Sequence, residues 1–225
     1  QGRTDFTGIL HKQGRMHPEL SAFTNRMFYF KEQLKPVPLP HQLAVDIGYL
    51  GEPKDETDQH LVQHRLLYYP SKKSEAMGKS DKVNIDEAQN VADLLNRIYT
   101  LTQKNFEPLR TVGVIVPYRN QIAMIRQEIE KTGNTALKDM CIDTVERYQG
   151  SQRDIIIYSF TVQHRYQLDF LTSNSFYEDD KLIDRKLNVA ITRARKQLII
   201  LGNKSILSAN PLFKALIEQI PHHLR

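Results

Sequence analysis

Leu187-Asn188-Val189-Ala190-Ile191-Thr192-Arg193-Ala194-Arg195 runs, after Lys196-Gln197, into Leu198-Ile199-Ile200-Leu201-Gly202. By periodicity the first run is an amphipathic helical segment and the second a buried strand, with two arginines near their junction. Arginine stays charged and presents a planar fork of donors that suits phosphate oxygens. Taken alone, the same residues also read as a surface helix carrying two solvated arginines. The rest of the chain decides between the two.

Upstream, two more apolar runs have the all-buried character of parallel-sheet strands: Val112-Gly113-Val114-Ile115-Val116 and Ile155-Ile156-Ile157-Tyr158-Ser159-Phe160. Met140 to Val145 reads as another strand, and Leu66-Leu67-Tyr68-Tyr69 as a short one ended by Pro70. Helices fall between them. Pro18 opens one with Leu20, Phe23 and Met27 at helical spacing. Asn84 caps a second, Glu87 completes a capping-box pattern, and Ala88, Val91, Leu95, Ile98 and Leu101 face inward. A third turns Ile122, Ile125 and Ile129 inward and ends before Gly133. Asn210 and Pro211 open the last, with Leu212, Leu216 and Ile220 inward. This alternation predicts an α/β domain with a largely parallel sheet. Residues 35–60, with four prolines and the acidic run Glu52 to Asp58, read as loop, and 163–183 as a polar, aromatic-containing excursion.

The chain has 225 residues, 40% hydrophobic and 25% charged, with a net charge of +5. That suits a soluble globular protein with a full core, and the mild basic excess permits nucleic-acid binding without showing it. Cys141 is the only cysteine, which excludes an internal disulfide and fits a reducing, intracellular compartment, cytoplasmic or nuclear. No apolar run approaches the roughly 18–20 residues of a membrane helix, and Gln1 to Asp5 carries no signal-peptide core. The abrupt start suggests a fragment of a longer protein, and 1–225 reads as one domain, expected to be a monomer. The final Pro221-His222-His223-Leu224-Arg225 reads as a frayed tail.

Three polar motifs punctuate this frame: Gln13-Gly14-Arg15-Met16-His17-Pro18; Thr144-Val145 through Gln149-Gly150-Ser151-Gln152-Arg153-Asp154; and the Leu187–Arg195 helix. With Val116-Pro117-Tyr118 between the first two, they resemble, over nearly the whole chain, the second RecA-like domain of superfamily 1 helicases of the Upf-like and Dna-type branch. The resemblance implies a RecA-like three-layer sandwich and a motor driven by ATP and Mg²⁺. Arg15 corresponds to an arginine that contacts the γ-phosphate. Arg193 is the preferred match to a second such arginine, with Arg195 in reserve. Gly14 stands where the family has an adenine-stacking tyrosine, and Gln152 where it has a nucleotide-contacting glutamate. Gln149, Gly150 and Gln152 form the nucleotide-side turn, with Gly150 expected to allow close backbone approach. Pro117, Tyr118, Arg119 and Thr144 match positions that touch single-stranded DNA or RNA, and Tyr118 could stack on a base.

No Gly-x-x-x-x-Gly-Lys-Ser/Thr loop occurs in the chain, so nothing in it cradles the β- and γ-phosphates or holds magnesium. On this reading the chain is half of an ATPase, partnered by an N-terminal RecA-like domain that carries the loop, and inactive alone. Asp86-Glu87-Ala88-Gln89 spells the magnesium-binding helicase box, but it opens a helix with no apolar strand before it and is read as coincidence. A binding module that kept the fold and lost the motor is the main alternative. A nuclease-associated domain is weaker, because no carboxylates cluster at metal-ligand spacing. In an unbroken helix Arg193 and Arg195 lie about 200° apart. Arg193 is then expected to face a cleft shared with Arg15 and Gln152, and Arg195 to turn away to a carboxylate or backbone carbonyls. If the helix ends early, the two arginines can converge.

Overall fold

Every residue of β4 (Val112–Val116) is buried, so this strand needs cover on both faces. It lies inside a five-stranded, all-parallel sheet ordered β3 (Leu66–Pro70), β9 (Ala194–Gly202), β6 (Arg153–Ser159), β4, β5 (Ile142–Thr144). One row of apolar side chains crosses all five strands: Leu67, Ile199, Ile157, Val114 and Ile142. The computed structural model describes residues 11–74, 80–148 and 150–221. Helices α4 (Ile85–Thr102) and α5 (Arg119–Lys131) pack against one another and the sheet, α1 (Pro18–Met27) packs on β9, and α7 (Arg185–Ile191) on β6 and β9. This is the expected α/β sandwich, consistent with a RecA-like fold. Among the described residues, no helix is long and apolar enough to cross a membrane.

Three expectations are corrected or filled in by the structure. Residues 35–60 are not simply loop. β2 (Lys35–Pro36) pairs with β1 (Lys12–Gln13), α2 spans Pro40–Leu43, and α3 spans Glu56–Gln63. The acidic run is a helix start: Asp55 caps α3 by accepting from the Asp58 amide at 2.9 Å, and Arg97 on α4 binds both Asp55 and Asp58. The composition looked like loop because its neutralising partner lies some 40 residues away. The excursion at 163–183 is also ordered, as α6 (Gln167–Leu171) and an antiparallel hairpin of β7 (Ser175–Glu178) and β8 (Lys181–Asp184). Its two turn residues, Asp179 and Asp180, both have positive φ, as a tight hairpin turn requires.

The third correction concerns Glu87. Asn84 does cap α4, accepting from the Glu87 amide at 3.1 Å, but Glu87 does not close a capping box. The Asn84 amide donates instead to Gln121 Oε1. The fully buried Glu87 carboxylate accepts from Ser71 Oγ at 2.9 Å, Ser159 Oγ at 2.6 Å and the Thr161 amide at 2.9 Å. It pins the exit of β6, where Thr161 takes a left-handed φ of 57°.

Among its described residues, the connection from β5 to β6 carries no helix. It passes beneath β4 from one end of the sheet to the other, and Tyr148 packs where Gly113 has no side chain. A Cβ at Gly113 would collide with the Tyr148 hydroxyl, which donates to the Cys141 carbonyl at 3.0 Å. Gly113→Ala is therefore expected to lower stability by about 1–3 kcal/mol through overpacking. Denaturant unfolding within 0.5 kcal/mol of wild type, an approximate tolerance for surface changes, would contradict the close approach.

Burial raises the Glu87 pKa from the ordinary 4.5 to about 7. The folded state therefore holds this proton more tightly than the unfolded state. The corresponding stability is complete below pH 4.5 and is lost as pH rises through about 7. Wild type should lose on the order of 3 kcal/mol across that window relative to Glu87→Gln, read from denaturant melts at each pH. Parallel pH profiles would contradict this.

Candidate functional site

The short turn Gln13–Met16 is knotted by its own side chains. Gln13 Oε1 accepts from the Arg15 and Met16 amides at 3.0 and 2.8 Å, and Gln13 Nε2 donates to the Met16 carbonyl at 2.8 Å. Gln42 Nε2 ties the carbonyls of Gln13 and Met16, each at 2.9 Å. The His17 amide then donates to the Arg195 carbonyl at 2.8 Å, docking the turn on the start of β9. The Gln152 segment is fixed to the same place, since the Arg153 amide donates to the Arg193 carbonyl at 3.0 Å.

Helix α7 ends at Ile191. Asp184 caps its start through the Leu187 amide, and Thr192 Oγ1 donates back to the Asn188 carbonyl at 2.7 Å. Arg193 lies between helix and strand, and Arg195 already belongs to β9. Arg193 is 7% exposed, and its guanidinium donates to the Val189 carbonyl at 2.9 Å and the Ser151 carbonyl at 3.3 Å. A cation is favourable at a helix C-terminus. Burial, and next the Arg15 charge, lower its pKa. Arg15 reaches the Thr192 carbonyl through Nη1 at 3.4 Å. Among the described residues, no carboxylate pairs with either guanidinium.

Arg15, Arg193, Gln152 and Gly14 line one cavity of about 800 Å³. Asn25, Tyr29, Lys31, Glu178 and Asn188 also line it, and none of these carried a sequence expectation of function. Asn25 Oδ1 and Asn188 Oδ1 are buried there without a hydrogen-bond partner. Asn188 had a visible signal, a lone amide inside an apolar helix. Glu178 had none, because the β7–β8 hairpin brings it to Lys31 at 2.8 Å.

Two further nucleotide-side residues, Arg195 and Gly150, do not line this cavity. Arg195 is outside the cavity lining. It forms an ion pair with Asp154 at 3.0 Å and contacts His41 Nδ1 at 3.3 Å, so its reserve role is withdrawn. The helix did end early, but the two arginines part: Arg193, just past the helix, turns back onto the Val189 carbonyl, whereas Arg195, already in β9, reaches Asp154 on β6. Gly150 has a φ of +87°, which itself calls for glycine, and a Cβ there would meet no atom of the chain within 4 Å. Gln149 falls outside the described residues.

Pro117, Tyr118, Arg119 and Thr144 come together around a second cavity of about 450 Å³ at the C-terminal ends of β4 and β5, with Lys82, Arg147, Phe170 and Lys186. The first cavity lies by the N-terminal ends of β6 and β9, so the two open at opposite ends of the parallel strands. Tyr118 is not free to stack on a base. The residue is 7% exposed, and its ring stacks on Phe170, centroids 5.1 Å apart. Burial raises its hydroxyl pKa. The excursion covers it, which local sequence at 117–119 could not show. Tyr118→Ala should therefore cost about 3 kcal/mol of stability, as for other buried aromatics. A thermal melt equal to wild type would contradict that burial.

A family model described as AAA domain matches residues 3–205. The chain is 29% identical over 220 residues to the probable helicase MAGATAMA 3 of Arabidopsis thaliana, covering 93% of this chain and 24% of that protein. It is 26% identical over 219 residues to an uncharacterized ATP-dependent helicase of Methanocaldococcus jannaschii, covering 95% of this chain and 29% of that one. The chain thus spans under a third of the length of these relatives. A crystal structure of the C-terminal domain of a possible DNA helicase from Lactobacillus plantarum WCFS1 aligns with a TM-score of 0.48 at 12% identity, over 94% of this chain and 96% of that one. The match over 3–205 shows that the chain belongs to this AAA domain family and is a helicase-related domain of the superfamily 1, Upf-like kind.

Proposed function

We propose that this chain is the C-terminal motor domain of an ATP-dependent nucleic-acid helicase, supplying arginines to ATP and part of the surface that holds a single strand. The observation that carries the reading is the pair Arg15 and Arg193, two guanidiniums on one cavity that form no ion pair among the described residues; of the two carboxylates on the lining, Glu32 and Glu178, the second is held by Lys31. Unbalanced cations facing an open cavity suit an anion. The volume suits a nucleotide, since small-molecule sites run to roughly 300–1,000 Å³. The unpartnered acceptors on Asn25 and Asn188 suit hydroxyl or amino donors such as those of ribose or adenine.

In this role the chain does no covalent chemistry. Phosphoryl transfer spreads negative charge over the γ-phosphoryl oxygens, and a fixed guanidinium stabilises that charge. Arg193 is held by two carbonyls before any ligand arrives, so it needs little reorganisation. Arg15 is held less tightly and would close on the phosphate. Magnesium is a different matter. Among the described residues no group of three or more His, Cys, Asp or Glu gathers to hold a metal, so the ion and the phosphate loop would belong to a partner domain. The single strand would lie at the second cavity, with Arg119, Arg147, Lys82 and Lys186 meeting its phosphates.

Gly14 and Gln152 favour a second reading, a nucleic-acid-binding module without turnover, because they lack the family's stacking ring and carboxylate. ATP turnover in a protein that also carries the phosphate loop separates the two. On the motor reading, Arg15→Ala and Arg193→Ala each lower turnover roughly 10³-fold or more. Arg195→Ala mainly lowers the melting temperature, and the 225-residue chain alone turns over no ATP. Near-normal turnover in both Arg15→Ala and Arg193→Ala would sink the motor role of this cavity.

A further inference from the structure

The second cavity contains an aromatic ring that neither the helicase motifs nor the proposed strand path accounts for. Phe170 lies on α6, in the 163–183 excursion, and is 46% exposed although it packs against the cavity wall. Tyr118 backs it in near-parallel stacking, at an interplanar angle of 23°. Tyr118 is buried and cannot yield, so the Phe170 ring is held in place while part of it stays open to solvent. Cations surround it. Lys186 Nζ sits over the ring, 4.5 Å from its centroid, and Arg119, Arg147 and Lys82 line the same cavity, with the Glu146 carboxylate on the lining and Asp143 3.9 Å from Arg147. A fixed, half-open aromatic ring among phosphate-binding cations is the arrangement with which proteins hold a single strand: backbone on the charges, one base on the ring.

We propose that Phe170 is a stacking platform for one base of a single-stranded nucleic acid, a role that the sequence had offered to Tyr118. The inference rests on the single-strand reading above and adds a residue to it. Every base presents a π-face, so the contact carries affinity without selecting sequence. Lys186, now over the ring and paired with Glu146 at 3.3 Å, would swing off that face to admit the base and exchange the carboxylate for the neighbouring phosphate.

The chain contains no tryptophan, so Phe170→Trp introduces one indole at the site. Oligo-dT and oligo-U of 15 nucleotides serve as probes, with affinity read by fluorescence anisotropy over a salt series. Phe170→Trp should bind about as well as wild type, and its emission should be quenched saturably by either oligomer. Phe170→Ala should weaken binding about tenfold with the slope of affinity against salt unchanged. Arg147→Ala should instead flatten that slope by about 0.7. Tyr166→Ala removes an exposed aromatic outside the cavity lining and should leave affinity within about twofold, taken as indistinguishable at this scale. Wild-type binding with an unaffected Phe170→Ala and an unquenched indole overturns the platform alone. No binding by wild type overturns the single-strand reading and the platform with it.

Discussion

The start of β9 is the constraint on which the first cavity depends. Two backbone hydrogen bonds end there, from His17 to the Arg195 carbonyl and from Arg153 to the Arg193 carbonyl. They join three segments far apart in sequence: the Arg15 turn, the Gln152 turn and the C-terminus of α7. None of the three could fix a guanidinium alone. Held against one strand end, they set Arg15 and Arg193 on a shared space. The next outward-turned side chain, Arg195, goes instead to Asp154 on neighbouring β6. The available partners, rather than residue type, thus separate the cavity-lining arginine, held on helix-end and turn carbonyls, from the one paired with a carboxylate two positions later.

The two cavities open at opposite ends of the sheet, yet one short connection joins them. From Thr144 at the second cavity the chain passes under β4, with Tyr148 seated on Gly113, and emerges at Gln152 on the first. The excursion makes a second bridge: α6 carries Phe170 to one cavity and the β7–β8 turn carries Glu178 to the other. Both bridges leave the sheet undisturbed, because the strands beneath them are buried on both faces and present no polar edge to rearrange.

Much of the frame was legible in the sequence because it is written in short-range signals. The Val112–Val116 and Ile155–Phe160 runs declare strands buried on both faces, and Asn84 and Asn210 sit where helix caps must be. The Arg15 and Arg193 motifs were visible as residue types in order. What stayed hidden depends on partners distant in the chain. The 52–58 acidic run becomes a helix start only when Arg97 arrives. Glu87 resembles a cap until Ser159 and Thr161 enclose it. Tyr118 and Phe170 exchange the exposed and buried roles because α6 folds over the strand end. Gly150 carries a second reason for its glycine, since a positive φ leaves the same mark on sequence as a close approach.

The central claim is that Arg15 and Arg193 act on one phosphoryl group. A double-mutant cycle tests it directly. ATP turnover is measured for wild type, Arg15→Ala, Arg193→Ala and the double variant in a protein that also carries the phosphate loop. Groups that stabilise the same developing charge are non-additive, so the double variant should lose clearly less than the product of the two single losses. Fully multiplicative losses would mean that the two guanidiniums act independently, and the shared site derived from the start of β9 would be wrong.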